Sequence, residues 1–373
     1  MEVWIAAAIF LGTYALIATE IVHKTVAALA GGVLMIVLHV IDQHEAFEAI
    51  DFNVIFLLLG MMVIANVMRG TGVFQWVAIR AIRVAGTDPW RIMLVLCLIT
   101  AVASAFLDNV TTVVLIGPVT LYIAAALGVS PLPYLIAEIL ASNVGGMATL
   151  IGDPPNILIG SAAGIDFATF AWNMTPVSLL VLGAFLLLAR LMFGRELAEH
   201  REHMSALDLD ESGVISEPRL MRISVAVLLL TIVGFLFAAP LGYEPATIAL
   251  LGASVLFVVG RVDPTDVLEK VEWNTLLFFV GLFMVVEGVI KVGIIGGIAD
   301  AVFELTGGEP VATSVALLWI SGVASGVVDN IPYTATVIPI VQQLGARGAD
   351  VEPLWWSLAM GADLGGNGTI IGA

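Results

Sequence analysis

The sequence predicts an all-α polytopic membrane protein of two inverted repeats, each carrying a re-entrant hairpin and a broken helix. Three observations predict it. Hydrophobic residues make up 60% of the 373 residues and charged ones only 12%, more apolar surface than a soluble chain of this length can bury. The stretch Ser104-Ala-Phe-Leu-Asp108-Asn109 returns 221 positions later as Ser325-Gly-Val-Val-Asp329-Asn330. Both copies sit inside apolar sequence, where a carboxylate costs roughly 2.5–3.5 kcal/mol on insertion scales. A chain that accepts this cost twice, at equivalent places, is building a polar site between two repeats, which is the layout of a secondary transporter.

The elements follow in order. Apolar runs cover residues 3–19, 25–41, 52–68, 92–127, 133–163, 176–193, 220–241, 245–259, 273–290, 311–344 and 353–373. A crossing helix needs about 20 residues. The run 92–127 is too long for one and is interrupted at Asp108-Asn109, so it reads as a hairpin of two half-helices. The run 133–163 is interrupted by Ser142-Asn-Val-Gly-Gly-Met-Ala-Thr149 and by Gly152-Asp-Pro-Pro-Asn156, residues that suit an unwound crossing helix. Such backbone persists at membrane depth only where protein or a watery cavity satisfies it. Residues 73–84, with Arg80 and Arg83, read as an amphipathic helix at the inner surface. Trp355-Trp356 reads as part of an interfacial aromatic belt.

The repeat extends beyond the Asp-Asn pair. Asp51-Phe-Asn53 matches Glu272-Trp-Asn274, Gly60 matches Gly281, Gly72 matches Gly293 and Pro118 matches Pro339, all 221 apart. Gly145-Gly146 and Thr149-Leu-Ile-Gly152 match Gly365-Gly366 and Thr369-Ile-Ile-Gly372, now 220 apart. Domains therefore read as residues 1–194, a cytoplasmic linker at 195–219, and a second repeat at 220–373. The second repeat stops where the first continues, so the chain reads as C-terminally truncated.

With the N-terminus outside and the hairpins not crossing, an odd number of crossings separates equivalent points and the repeats are inverted. Lys24, Arg69, Arg80, Arg83, Arg91, Arg190, Arg195, Arg201, Arg219, Arg222, Arg261 and Lys270 then fall inside or at the inner boundary, and only Lys291 and Arg347 outside. This satisfies the positive-inside rule and points to the cell membrane, multi-pass. Met1-Glu-Val-Trp4 lacks the basic region of a cleavable signal. The net charge of −17 sits mostly in connecting segments and reads as solvated loops. The expected partners are therefore the lipid bilayer and a small ion or solute, with no nucleic acid. Cys97, alone in an apolar run, excludes internal disulfides and reads as a packed thiol.

Four clusters carry the chemistry: Asp108-Asn109 with Thr111-Thr112; Ser142-Asn143 through Gly145, Gly146 and Thr149 with Asp153 and Asn156; Asp329-Asn330; and Asp363 with Gly365, Gly366, Asn367 and Thr369. Half-helices ending at mid-membrane offer N–H groups to anions and carbonyls to cations. The glycine pairs let backbone approach a substrate, and Pro154-Pro155 stops the helix from continuing. Structural alternatives stand beside these roles. Asn109 and Asn330 could instead cap the following half-helices, Asp108 and Asp329 be acids satisfied by backbone N–H groups, and Asp153 be a turn residue. Glu138 and Glu287 have no repeat partner. Thr111-Thr112 becomes Pro332-Tyr333 in the second copy, so the half-sites differ. No catalytic set, metal cluster or cofactor site is evident, which disfavours an enzyme.

The tip Phe106-Leu-Asp-Asn-Val-Thr-Thr112 and the tract from Ser142 to Asn156 resemble the ion transporter superfamily. Within it they resemble the branch of the arsenite efflux pump ArsB, the melanosomal P protein and NhaD-like, citrate transporter-like domains. The resemblance covers nearly the whole chain. It implies an elevator, in which hairpins and broken helices slide against a scaffold, and unwound site loops in 133–163 and beyond 353. It also implies coupling to H+ or Na+, with sodium candidates at Asn109 and Asn330. A homodimer and an ArsA-type ATPase on the linker are further partners considered. Dicarboxylate carriers of the superfamily use Ser-Asn-Thr tips, whereas both tips here are Asp-Asn, and two extra carboxylates disfavour a dianion unless they are protonated or neutralised. The expected activity is arsenite or related inorganic solute efflux by antiport with protons. The alternatives are a sodium/proton antiporter of the same fold, an organic-anion (citrate or dicarboxylate) carrier, and a membrane sensor or scaffold subunit with a degenerate site.

Overall fold

The structure, a computed structural model, describes residues 1–86, 88–199, 214–307 and 309–369. Among the described residues the chain is helical, with no strand. The first copy holds α1 (Glu2–Thr19), α2 (Lys24–Val37), α3 (Gln43–Glu48), α4 (Phe52–Thr71), α5 (Val73–Ala85), α6 (Pro89–Ser104), α7 (Asn109–Leu127) and α8 (Leu132–Gly146), followed by α9 (Pro154–Ala163) and α10 (Phe167–Glu199). The second holds α11 (Pro218–Ala238), α12 (Pro245–Gly260), α13 (Pro264–Leu268), α14 (Trp273–Lys291), α15 (Ile294–Thr306), α16 (Pro310–Ser325), α17 (Asn330–Ala346) and α18 (Glu352–Gly366). Each pair from α2/α12 to α7/α17 begins 221 residues apart, so the repeat in the sequence is also a repeat of helix boundaries. Among the described residues five helices, α1, α4, α10, α11 and α14, are long and apolar enough to cross a membrane. At 1.5 Å per residue, α4 reaches about 30 Å, the thickness of a hydrocarbon core.

Both breaks in the hairpin runs fall where the sequence predicts them. Asp108 caps α7, its Oδ1 accepting from the Thr111 N–H at 2.8 Å, and Asp329 caps α17, its Oδ1 accepting from the Ile331 N–H at 3.1 Å. The cap is thus the Asp of each pair and not the Asn, because an Ncap side chain must reach the N–H groups two or three residues on. The broken helix unwinds over residues 147–153. Ser142, Asn143, Gly145 and Gly146 therefore lie on the last turn of α8, and Asn156 on the first turn of α9.

Elsewhere the structure departs from the expectations. Helix α10 starts at Phe167 and carries Pro176 in its interior. Asp166 sets the earlier start: its carboxylate accepts from the Thr169 N–H at 3.0 Å and the Thr169 hydroxyl at 2.8 Å. The proline forfeits one helix bond, a loss a membrane helix tolerates. Helices α3, α13 and α15 are absent from the apolar runs because they are short or two-faced. Helix α3 is fixed by a capping box between Asp42 and Glu45, and the Glu45 N–H bonded to Asp42 holds that carboxyl below its usual range. Helix α18 ends at Gly366 as α8 ends at Gly146, in the tract expected to hold an unwound loop, and residues 370–373 of that run lie outside the described residues. Trp355 is buried, which leaves only the half-buried Trp356 for an interfacial belt. Of the expected linker at 195–219, residues 200–213 lie outside the described residues. Its far end is anchored, with the Ser216 N–H and hydroxyl donating to the carbonyls of Thr71 (3.2 Å) and Gly70 (2.9 Å).

Contacts divide the chain into two compact units that interleave the repeats. The first comprises Met1–Leu58, Ile157–Ile165 and Glu272–Ala373; the second comprises Leu59–Asn156 and Asp166–Val271. In the first, α2 packs along α14 and α16 along α18; in the second, α6 packs along α8 and α11 along α12. One crossing is built twice. A Cβ on Gly281 would lie 2.4 Å from the Ala28 carbonyl carbon, and a Cβ on Gly60 would lie 2.7 Å from that of Ala249. Gly60 and Gly281, like Ala28 and Ala249, are 221 apart. In each unit the fourth helix of one repeat therefore touches the second helix of the other, through residues small enough for backbone contact. Gly281→Ala and Gly60→Ala are each expected to destabilise their unit by about 1–3 kcal/mol through overpacking. Gly12→Ala, with open space around it, should be neutral or stabilising by about 0.5–1 kcal/mol. Thermal unfolding of the detergent-purified protein checks the difference in sign.

Candidate functional site

In the second unit the α6–α7 tip meets the break between α8 and α9. The Asn109 amide Nδ2 donates to Asn143 Oδ1 and to Asp153 Oδ2, each at 3.1 Å. That uses both of its hydrogens. Ser142 Oγ lies 3.1 Å from both the Asn109 carbonyl oxygen and Ser104 Oγ. Thr149 donates its hydroxyl to the Ala105 carbonyl, satisfying a group that the end of α6 leaves open. Asn156 Nδ2 spans the break, donating to the Gly146 carbonyl at 3.3 Å and the Thr149 carbonyl at 3.4 Å.

Ser142, Asn143, Thr149, Asp153 and Asn156 are all buried. Asp153 stands just before Pro154 at the start of α9, where the helix dipole favours a negative charge. Close packing makes the cluster possible: a Cβ on Gly145 would lie 2.2 Å from the Ala101 carbonyl oxygen, and one on Gly146 would lie 2.8 Å from that of Gly152. Thr112 follows Asn109 by one helical turn, and its buried hydroxyl has no hydrogen-bond partner. The backbone N–H of Thr111 is the one that Asp108 caps. Beside the amide NH2 groups of Asn109, Asn143 and Asn156, the cluster presents oxygens: a carboxylate, amide oxygens, hydroxyls and helix-end carbonyls.

The first unit holds the counterpart around α16 and α18. Thr369 donates its hydroxyl to the Gly326 carbonyl, repeating the bond from Thr149 to Ala105. Ser325 Oγ donates to the Ala362 carbonyl at 2.7 Å. A Cβ on Gly365 would lie 2.5 Å from the Gly322 carbonyl oxygen. Asp363 is buried on the last turn of α18 in the position matching Asn143, with Gly366 and Asn367 at the helix end. Asn330 opens α17. Here Asp329 Oδ2 takes the Lys24 ammonium at 2.6 Å, and Tyr333, standing where the first copy has Thr112, shares a hydrogen bond with Ser321 Oγ at 2.9 Å.

Direct bonds thus join Asn109, Ser142, Asn143 and Asp153 into one cluster, with Thr149 and Asn156 bracing its walls. In the other unit they join Thr369 and Ser325 across α16 and α18. Glu138 lies apart from both: it is buried and accepts from the Thr120 hydroxyl in the α7–α8 packing. Sequence reasoning did not single out Ser104, Ser325, Lys24 or Tyr14. The two serines open the repeated stretch, a signal already present; Lys24 counted only as a positive charge flanking a helix.

A family model described as citrate transporter (CitMHS) matches residues 14–361. Two proteins of Mycobacterium tuberculosis named only as uncharacterized transporters are each 45% identical over 99% of this chain and 88% of their own length. The 46 kDa membrane protein of Mycobacterium leprae is 43% identical over the same shares. Human P protein is 34% identical over the whole chain, which spans 55% of that protein. The chain therefore belongs to the citrate transporter (CitMHS) family, on the P-protein branch of the ion transporter superfamily, and is a membrane transporter and not an enzyme.

Proposed function

We propose that the chain is an ion-coupled secondary transporter that exports a small inorganic solute, arsenite foremost, in exchange for protons. The observation that carries this reading is the convergence of Asn143 Oδ1 and Asp153 Oδ2, each 3.1 Å from one nitrogen of Asn109. Oxygens converging on one point suit a small cation or a proton. A half-turn of the Asn109 amide would turn its oxygen toward the same two acceptors, leaving three oxygens for a cation seated among them to share. The Thr112 hydroxyl, one turn along α7, is a further ligand in want of a partner. Asp108 and Asp329, heading α7 and α17, are the two candidates for the coupling carboxylate. Asn109 and Thr149 in the second unit are the candidate solute or ion ligands there, and Asn330, Asp363, Asn367 and Thr369 are their counterparts in the first.

An acceptor-rich site repels a free polyanion but accommodates neutral As(OH)3 through hydrogen bonds. One cysteine excludes capture by three thiolates. The recurring helix boundaries support two repeats, at 1–194 and 220–373; the odd number of crossings between them and the distribution of Lys and Arg favour their inversion, with the N-terminus outside and a cytoplasmic linker between them in a plasma-membrane protein. The unwound stretch beside a hairpin tip supports an elevator in which both hairpins and both broken helices move together. The mechanism needs neither a second copy nor an ATPase on the linker, because an ion gradient supplies the energy. Two other readings have specific support. The sodium geometry favours a sodium/proton antiporter, and the family's description favours a citrate carrier whose substrate enters with its charge offset by bound cations.

Proton flux in proteoliposomes of the full-length protein, with sodium, lithium, arsenite or citrate added in turn, separates them. Arsenite-dependent proton movement that disappears in Asp108→Asn is the expected result. A response to sodium or lithium alone replaces it with the antiporter, and a response to citrate alone with the organic-anion carrier. Silence to all four defeats the transport assignment for these solutes.

A further inference from the structure

The two hairpin tips have the same sequence signature but different electrostatics. Asp329 spends one oxygen on the Ile331 N–H and gives the other to Lys24 Nζ at 2.6 Å. Lys24 is the first residue of α2, and its ammonium also lies 5.4 Å from the centroid of the Phe278 ring on α14. From α1, Tyr14 donates its hydroxyl to the Pro332 carbonyl at 2.8 Å and shares a hydrogen bond with Thr336 Oγ1. All of these residues lie within one compact unit. The tip that begins α17 is therefore held by a cation and a hydroxyl from the first two helices of the chain.

Neither group has a counterpart for the other tip. The residue 221 positions after Lys24 is Pro245, and the residue 221 after Tyr14 is Phe235, which carries no hydroxyl. The capping bond to Asp108 has its equivalent at Asp329; the bond to an ammonium does not. A half-exposed ion pair adds little to stability. Its consequence is electrostatic: a proton or sodium ion reaches Asp329 Oδ2 only by displacing Lys24.

Building on the ion-coupled reading above, we infer that Lys24 is a tethered counter-cation for Asp329, which leaves Asp108, of the two tip carboxylates, as the one free to bind a transported coupling ion. The chain then carries one coupling charge per cycle at these two tips, where the repeat alone would imply two. Lys24 belongs to α2, so loss of the ion pair also frees the α17 tip from that helix. A cation competing for Asp329 would act as a release signal and not as cargo.

The test is charge removal in the full-length protein, read by flux and by thermal unfolding. Asp329→Asn leaves the ammonium without its carboxylate and should lower flux at least tenfold. Adding Lys24→Met should restore it to within about threefold of wild type. The same second substitution should not rescue Asp108→Asn. Lys24→Arg should behave as wild type. Lys24→Met alone should expose Asp329 to ions, raising the charges moved per cycle from one to two in a reversal-potential measurement.

In detergent, Lys24→Met should gain a sodium- or acid-dependent rise in melting temperature that disappears when Asp329→Asn is added. The inference is overturned if the double variant stays as inactive as Asp329→Asn, or if Lys24→Met leaves both the charge count and the ion-dependent stabilisation unchanged. If wild type shows no ion-coupled flux at all, the transport reading fails, and the melting series still decides whether Lys24 occupies the Asp329 site.

Discussion

Asn109→Ala is expected to reduce coupled flux by about two to three orders of magnitude while the protein still folds and inserts. The amide makes two of the bonds that join the hairpin tip to the broken helix, to Asn143 and to Asp153. A hydrogen bond to a charged group is worth about 1.5–3 kcal/mol and one to a neutral group about 0.5–1.5 kcal/mol. Their joint loss is about 2–4.5 kcal/mol, and each 1.36 kcal/mol is tenfold in a rate or binding constant. The backbone of the tip stays in place, because Asp108 caps α7 and Ser142 Oγ bonds the Asn109 backbone carbonyl, which alanine retains.

Asn109→Asp tests the same cluster from the other side. It would set a second carboxyl beside Asp153, and two carboxyls at that distance cannot both ionise. Coupled flux should fall as it does in Asn109→Ala, because an ionised aspartate cannot donate to Asn143 Oδ1 or Asp153 Oδ2 as the amide does. Flux assays paired with size-exclusion profiles separate both effects from misfolding. If Asn109→Ala transports within twofold of wild type, the cluster serves packing and the site lies elsewhere.

What the sequence revealed and what it concealed divide along physical lines. Local punctuation was legible. Asp108-Asn109 and Asp329-Asn330 mark true helix ends, and the glycines and prolines between Ser142 and Asn156 mark a true unwinding. Each of these is a backbone event decided by residues within a few positions. The start of α10 misled because Pro176 is as compatible with a helix interior in a membrane as with a first turn, while the deciding group was Asp166 upstream. Helix α15 was missed because Asp300 and Glu304 break its apolar run without breaking the helix.

The long-range bonds were illegible. Lys24 and Asp329 are separated by 305 positions, and nothing in either neighbourhood names the other. The repeat gave partial access: once Ser104 is known to face Ser142, its counterpart Ser325 is expected to face α18, and it does. The same comparison shows where symmetry fails, at Lys24 against Pro245 and Thr112 against Tyr333. Those are positions where the two helix tips carry different chemistry.

Gly145→Val is expected to abolish the folded transporter outright. Even the Cβ of alanine would stand 2.2 Å from the Ala101 carbonyl oxygen and 2.5 Å from the Ala101 Cα. These are backbone atoms of α6, which no rotamer change can move aside. Relief requires α6 and α8 to separate, and that separation strips the site of its short contacts in one step. The Ser142–Ser104 bond, the Thr149 cap on Ala105 and the reach from Asn109 to Asn143 all depend on the same closeness. Overpacking alone typically costs about 1–3 kcal/mol. Valine adds two methyl groups, and each lost buried hydrogen bond adds about 1–3 kcal/mol for the group left unsatisfied. The sum reaches most of the roughly 5–15 kcal/mol that holds a typical domain folded.

Gly145→Ala should be intermediate, folded but with a lowered melting temperature and little flux. Gly183→Ala on α10 is the control, since nothing lies within 4 Å of its added Cβ, and it should be neutral or stabilising by about 0.5–1 kcal/mol. Fluorescence-detected size exclusion of the three variants reads the series. A monodisperse, active Gly145→Val would mean that α6 and α8 do not touch at this point, and with that contact would go the geometric basis for placing a site between the hairpin and the broken helix.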